Sequence, residues 1–143
     1  MMRYMKYMWG AAMRKVILML LLIVAYNSSA MAEWVRVASF EEEATCYVDR
    51  TTLLKVENRV KMWFLLDFRK AQKLVSIPYL SVLEQYEFDC KEEQSRRLYF
   101  SLQSKNMGGG DMVYKYSDAG KWESNPPGSG GELLWKAACG RPL

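Results

Sequence analysis

From Val60 to Phe68 every second residue is apolar: Val60, Met62, Phe64, Leu66 and Phe68 share one side, while Lys61, Asp67 and Arg69 frame Trp63 and Leu65 on the other. A period of two is that of an extended chain, whose successive side chains leave opposite faces. The pattern predicts a strand over 59–70 with one face in a core and the other covered only at its centre. A helix lying across part of that second face is the expected cover.

The flanking segments repeat the signal. Residues 33–39 set Trp34 and Arg36 against Val35 and Val37, and Thr45 to Asp49 reads as a second short strand. Thr51 to Lys55 reads as a helical turn or loop leading out of it. After a polar stretch ending near Pro78, Val82, Glu84, Tyr86, Phe88 and Cys90 alternate with Leu83, Gln85, Glu87 and Asp89. Lys91 to Gln94 is then a hairpin connection, and Leu98, Phe100 and Leu102 oppose Arg97, Tyr99, Ser101 and Gln103 in the returning strand. Met107 to Asp111, with three glycines, is a flexible turn rather than a phosphate loop, because no helix or lysine follows it in the required context. Met112 to Ser117 is a further strand.

The last segment changes period. Asn125-Pro126-Pro127-Gly128 stops the sheet, and Ser129 with Glu132 has the Ser-x-x-Glu form of a capping box. Leu133, Leu134, Ala137 and Ala138 then share a helical face, which Gly140 and Pro142 end. The expected fold is α+β: a single antiparallel sheet of about five to six strands with a C-terminal helix packed on it.

At the other end, Arg3, Lys6, Arg14 and Lys15 precede an apolar run from Val16 to Tyr26, and Ala30-Met31-Ala32 has the small-x-small form of a signal-peptidase site. Residues 1–32 are expected to be a signal peptide cleaved after Ala32, with Met1 or Met13 as the start, and 33–143 the exported domain. The run of about 11 residues is shorter than the roughly 20 that span a bilayer. The leader holds four of the 20 Lys and Arg and none of the 16 Asp and Glu, so the remainder carries as many cations as anions. A nucleic-acid partner therefore lacks its electrostatic basis. No cysteine closely follows the apolar run, so no stable membrane anchor is expected after cleavage.

Three cysteines, Cys46, Cys90 and Cys139, would enter an oxidising compartment, where one bridge and one spare thiol are possible. The chain has no histidine. That excludes His-based triads and, with no closely spaced cysteine pair, argues against a zinc site; no metal or cofactor is expected.

Tyr47-Val48-Asp49 before a short turn, the strand Val60 to Asp67, the segment Tyr86-Glu87-Phe88-Asp89-Cys90 and the closing Ala138-Cys139 together resemble the surface-adhesin protein E-like domain of bacterial exported proteins. The resemblance covers nearly all of the chain after the leader. It implies a Cys90–Cys139 disulfide, with Cys46 left as a small buried hydrophobe, and a Gram-negative source. It also implies a surface lipoprotein adhesin binding host matrix proteins such as vitronectin and laminin, and plasminogen, through a basic segment around the first bridge cysteine. This chain departs from that pattern: it has no lipobox cysteine, and Lys91, Arg96 and Arg97 are interleaved with Glu84, Glu87, Asp89, Glu92 and Glu93.

Lys91, Arg96, Arg97 and Tyr99 are the candidate partner-binding residues. Glu41, Glu42 and Glu43 read as a solvated acidic turn. Asp67 and Asp89 read as structural hydrogen-bonding groups whose pKa values would rise if buried. Trp34, Trp63, Trp122 and Trp135 read as core, the exception being a part-exposed indole beside Tyr99 or Tyr114. The expected function is a non-catalytic binding module that uses a sheet face or edge to engage a protein partner at the periplasm or cell surface. The alternative is a periplasmic accessory or inhibitory protein acting on an envelope enzyme. Free strand edges make a homodimer possible.

Overall fold

The computed structural model describes residues 32–40 and 43–143. The leader before Ala32, and Glu41 and Glu42 of the acidic turn, lie outside the described residues. Seven strands form one antiparallel sheet among the described residues: β1 (Trp34–Phe40), β2 (Ala44–Val56), β3 (Arg59–Leu74), β4 (Ile77–Asp89), β5 (Gln94–Gln103), β6 (Met112–Tyr116) and β7 (Glu123–Ser124). The first six follow one another in spatial order, and β7 pairs with β5 at Gln94 and Ser95. The sheet is thus one short strand larger than expected.

The alternating residues of β3 and β4 fall where their period requires. Val60, Met62, Phe64 and Phe88 are fully buried on one face, joined there by Cys46 and Val48 of β2. Helix α1 (Gly130–Cys139) lies on that same face through Trp135 and Ala138, with Leu134 and Ala137 beside them. The expectation that the helix would cover the Trp63 and Leu65 side is therefore corrected. The face with the longer apolar row offers more area to remove from water and takes the helix. Trp135, rather than Leu133, completes the helix contact, and its Nε1 donates to the Asp89 carbonyl at 3.1 Å.

The other face is roofed by a loop. Residues 105–111 fold back over β3 and β4, with a 3₁₀ turn at Asn106–Gly108. Gly108 sits so close that an added Cβ would lie 3.4 Å from Leu83. Asp67 Oδ1 accepts from Met107 N at 2.7 Å and Asn106 Nδ2 at 3.1 Å, while Ser81 Oγ donates to the Lys105 carbonyl and accepts from Gly108 N. The glycine run is thus a pinned lid on the sheet, not a free turn.

Two further expectations are corrected. Residues 51–55 continue β2 as extended chain: the register shifts between Asp49 and Leu54, and Thr52 Oγ1 accepts from Trp63 N in place of a ladder carbonyl. In β5 the register shifts after Arg97, so Ser95, Arg97, Phe100 and Leu102 share the helix face and Arg96, Tyr99, Ser101 and Gln103 the opposite one. One extra residue in a strand inverts every side chain beyond it.

The helix begins as its sequence predicts. Ser129 Oγ accepts from Glu132 N at 3.1 Å, and Glu132 reaches back to Gly128 N; that backbone N–H, more than Lys136, holds the Glu132 carboxyl below its ordinary range. Gly140, at φ +66, ends it in the left-handed conformation that suits glycine. Cys139 at its last turn is bridged to Cys90 at the end of β4, with Cα atoms 5.7 Å apart.

Candidate functional site

A concavity lies on the sheet face away from the helix, at the end where the β2–β3 and β4–β5 turns stand side by side. It is a groove of about 610 Å³ with Leu54 and Val56 as one wall, Arg59, Lys61, Glu87 and Asp89 as its floor, and Lys91 and Glu92 at the far rim. Three features of the chain place these groups. After the register shift the last residues of β2 pair with β3 beyond the end of β1, leaving Leu54 and Val56 in solvent at 58% and 62% exposure. Alternation in β3 and β4 sets the charged residues side by side. Cys90 N donates to the Asn58 carbonyl at 2.8 Å, which ties the two turns together.

The floor neutralises itself. Glu87 is buried between two cations, Lys61 Nζ at 4.0 Å on one side and the Arg96 guanidinium on the other, where Nε donates at 2.7 Å. Burial of a carboxylate is tolerable when ion pairs and hydrogen bonds satisfy it in this way. The guanidiniums of Arg96 and Arg59 both stand against the Trp122 ring, at 4.6 and 5.2 Å from its centre. Asp89 accepts from the backbone N–H groups of Glu92 and Lys91, and these, with Arg59 nearby, hold its carboxyl below the ordinary range. Its pKa therefore moves opposite to the direction expected from burial.

The four candidate residues read from the sequence do not form one patch. Lys91 is exposed at the groove rim and Arg96 borders the floor, but the register shift in β5 turns Arg97 to the helix face. There Arg97 pairs with Glu84 at 3.1 Å and stacks over Phe100. Tyr99 lies on the groove face as an edge-to-face partner of half-buried Trp63, its hydroxyl 3.5 Å from Met112 Sδ. Leu54, Val56 and Lys61 were missed; a Thr-Thr-Leu-Leu segment reads as turn or loop until its ladder is known.

A second, apolar cleft of about 250 Å³ sits between the start of α1 and the sheet, lined by Phe64, Leu134, Cys46 and Glu84 among others. Burial pushes the Cys46 thiol up to about 12, with the Glu84 carboxylate adding to the effect. Burial also raises the Glu84 carboxyl itself, against the pull of Arg97. A thiol so far from its thiolate is a poor nucleophile, which fits packing rather than chemistry. Among the described residues no cluster of acidic, cysteine or histidine side chains is arranged to hold a metal.

A family model described as Surface-adhesin protein E matches residues 34–140. The chain belongs to the Surface-adhesin protein E family. Solved structures of similar form are those of Haemophilus influenzae protein E. A crystal form II structure of it superposes with a TM-score of 0.59 at 10% identity, covering 80% of this chain and 92% of that one. A second structure, the Se_Met form, gives 0.60 at 11% identity, covering 80% and 91%. A third, from non-typeable Haemophilus influenzae, gives 0.56 at 10% identity, covering 80% of each. At such identity the likeness is one of fold. No match was found among curated proteins.

Proposed function

We propose that this chain is an exported, non-catalytic binding domain that receives a segment of a protein partner in the groove between the β2–β3 and β4–β5 turns. The observation that carries the reading is the groove's make-up: two exposed aliphatic side chains, Leu54 and Val56, face a floor of charges already paired with one another. Such a floor gives a partner orientation and specificity without stranding charge, while the aliphatic wall supplies apolar area to bury. Membership of an adhesin family supports binding rather than catalysis. The groove floor's Arg59, Lys61, Glu87 and Asp89 are engaged in ion pairs, and Cys46 is buried and packed.

The same proposal includes a leader ending at Ala32, for which amino-terminal sequencing of the exported protein should return Glu33. Among the described residues no helix is long and apolar enough to cross a membrane. The narrower version, host matrix binding, follows from the family alone and requires saturable binding to vitronectin or laminin. The alternative, action on an envelope enzyme, requires a periplasmic partner.

Photo-crosslinking in intact cells tests the groove. A crosslinking amino acid at Leu54 or Lys91 should give discrete adducts, and the same group at Lys115 should give none. Identical patterns at all three positions, or no adduct at either groove position, would remove the groove from the function. Protection of the domain from an impermeant amine reagent would select the periplasmic version, and labelling the surface version.

A further inference from the structure

The end of the sheet opposite the bridge carries a feature that the groove does not use. Pairing of β3 with β2 stops at Phe68, and pairing of β4 with β5 starts at Ser81. Beyond Arg69, whose N–H donates to the Glu43 carbonyl, residues 70–80 are therefore a two-stranded arm whose ladder is with itself, through Gln72 with Tyr79, Lys73 with Pro78 and Leu74 with Ile77. A bare hairpin of this kind is marginal in water, so what it presents matters.

Its tip breaks two local rules at once. Val75 sits in the turn at φ +58, a left-handed conformation that glycine or asparagine adopts at little cost and a β-branched residue resists. The residue is also 95% exposed, so little contact within the molecule offsets that strain. Leu74 and Ile77 on either side are exposed as well, with Pro78 following. An uncompensated outlier in an exposed apolar turn points to a contact made outside the chain.

The arm's chemistry is layered along its length. The aliphatic tip comes first, then Lys73, Lys70 and Arg69, all exposed, then an edge-to-face pair of Phe68 and Tyr79 at the root with ring centres 5.8 Å apart. From Arg69 to Leu80 the arm holds three cations and no anion. At its root Glu43 lines one hollow with Arg69, Lys70 and Gln72, its backbone carbonyl accepting from Arg69 N, and Asp67 is engaged with Asn106 and Met107. The arm's own residues thus carry net positive charge behind an apolar tip. Aliphatic tip and basic collar follow the order of acyl chains and anionic headgroups in a lipid leaflet.

We propose that the β3–β4 arm is a membrane-contact device that sets Leu74, Val75 and Ile77 into the surface of a bilayer containing anionic phospholipid. The inference is independent of the groove reading. Binding through one short tip is reversible, an attachment that holds the domain near a membrane without anchoring it.

The exported protein is the form to test, since residues 32–143 form a compact unit with its own core and bridge. It should float with vesicles of phosphatidylglycerol and phosphatidylethanolamine, and much less with phosphatidylcholine alone. Lys70→Gln with Lys73→Gln should weaken partitioning by about fivefold per cation at low salt. Val75→Asn should reduce binding at least as much while melting no lower than the unsubstituted protein, because asparagine relieves the strained turn. A merely structural Val75 would show the gain in stability and no change in flotation. An environment-sensitive fluorophore at Val75→Cys should brighten and shift to the blue on adding the anionic vesicles, and the same label at Lys115→Cys should not. Failure of the unsubstituted protein to bind these vesicles overturns the proposal, as does flotation unaffected by Val75→Asn or by Leu74→Ser with Ile77→Ser.

Discussion

The two faces of the sheet satisfy burial by different means. On the helix side Phe64 is ringed by Tyr86 and Phe88 in edge-to-face contacts, and Met62, Val60 and Val48 close the space beneath Trp135. The attraction there is non-directional and grows with the area removed from water. On the groove side the corresponding rows are Lys61, Glu87 and Arg96, with Arg59 and Asp89 beside them, held by hydrogen bonds and by the Trp122 face. Directional pairs of this kind add little net stability, but they fix where each charge stands. The difference assigns holding the fold to one face, and the proposed binding groove lies on the other.

Substitutions can break that division, the largest effect first. Phe64→Ala should cost about 3–5 kcal/mol in urea unfolding, because a ring fully buried between sheet and helix leaves a cavity that neighbours cannot fill. Groove crosslinking from any population that still folds should be unchanged. Replacing Cys90 and Cys139 together by serine should cost up to about 4 kcal/mol, from the loop that the bridge closes across a separation of 49 positions. It should also loosen the groove, since Cys90 opens the turn that forms its rim. That is the one variant expected to affect both faces.

Smaller effects come from charge. The lowered Asp89 carboxyl contributes stability that is present above its unfolded value near pH 4 and is lost as the pH falls through the folded value. Asp89→Asn keeps an acceptor for the two turn N–H groups without the charge, so stability plotted against pH should be flatter below about pH 4. Glu84 acts in the opposite sense. With its folded pKa raised, its contribution is present at low pH and lost as the pH rises through that value. Glu84→Gln should therefore remove a gain on acidification rather than a loss. Leu54→Asp with Val56→Asp should leave stability within about 0.5 kcal/mol, since both side chains are exposed, yet abolish the groove adducts. Should this variant unfold the protein, the aliphatic wall belongs to the fold and the contrast between the faces fails.

Much of the helix side could be read from residue order alone. The period of β3 and β4, the Ser129 cap and the Gly140 stop are local signals, and each fixes its own backbone. The disulfide partners became legible through the family resemblance, since three cysteines admit more than one pairing. The groove side was largely hidden. Whether Arg96 or Arg97 faces it depends on one extra residue in β5, and a shift of that kind has no signature in composition. The extension of β2 through Leu54 is likewise a tertiary outcome, set by Thr52 and its bond to Trp63 N rather than by propensity. The choice of face for α1 was ambiguous because Trp63 and Leu65 put an apolar centre on the second face as well, though a shorter one. Only the folded chain sets the loop at 105–111 against Leu83 and the Tyr99 ring against Trp63.

The Cys90–Cys139 bridge also governs how the domain would answer mechanical load. A force applied between β1 and the residues after Cys139 travels along β1 to β4, crosses the two sulfurs and leaves the chain without passing through β5, β6, β7 or the helix. The chain between the cysteines, a separation of 49 positions, cannot be drawn out while the bridge is intact, so full extension falls short by about 170 Å, at roughly 3.5 Å per residue. Reduction would release that length in a single step, making the tether a redox-set limit on how far a tugged domain can stretch.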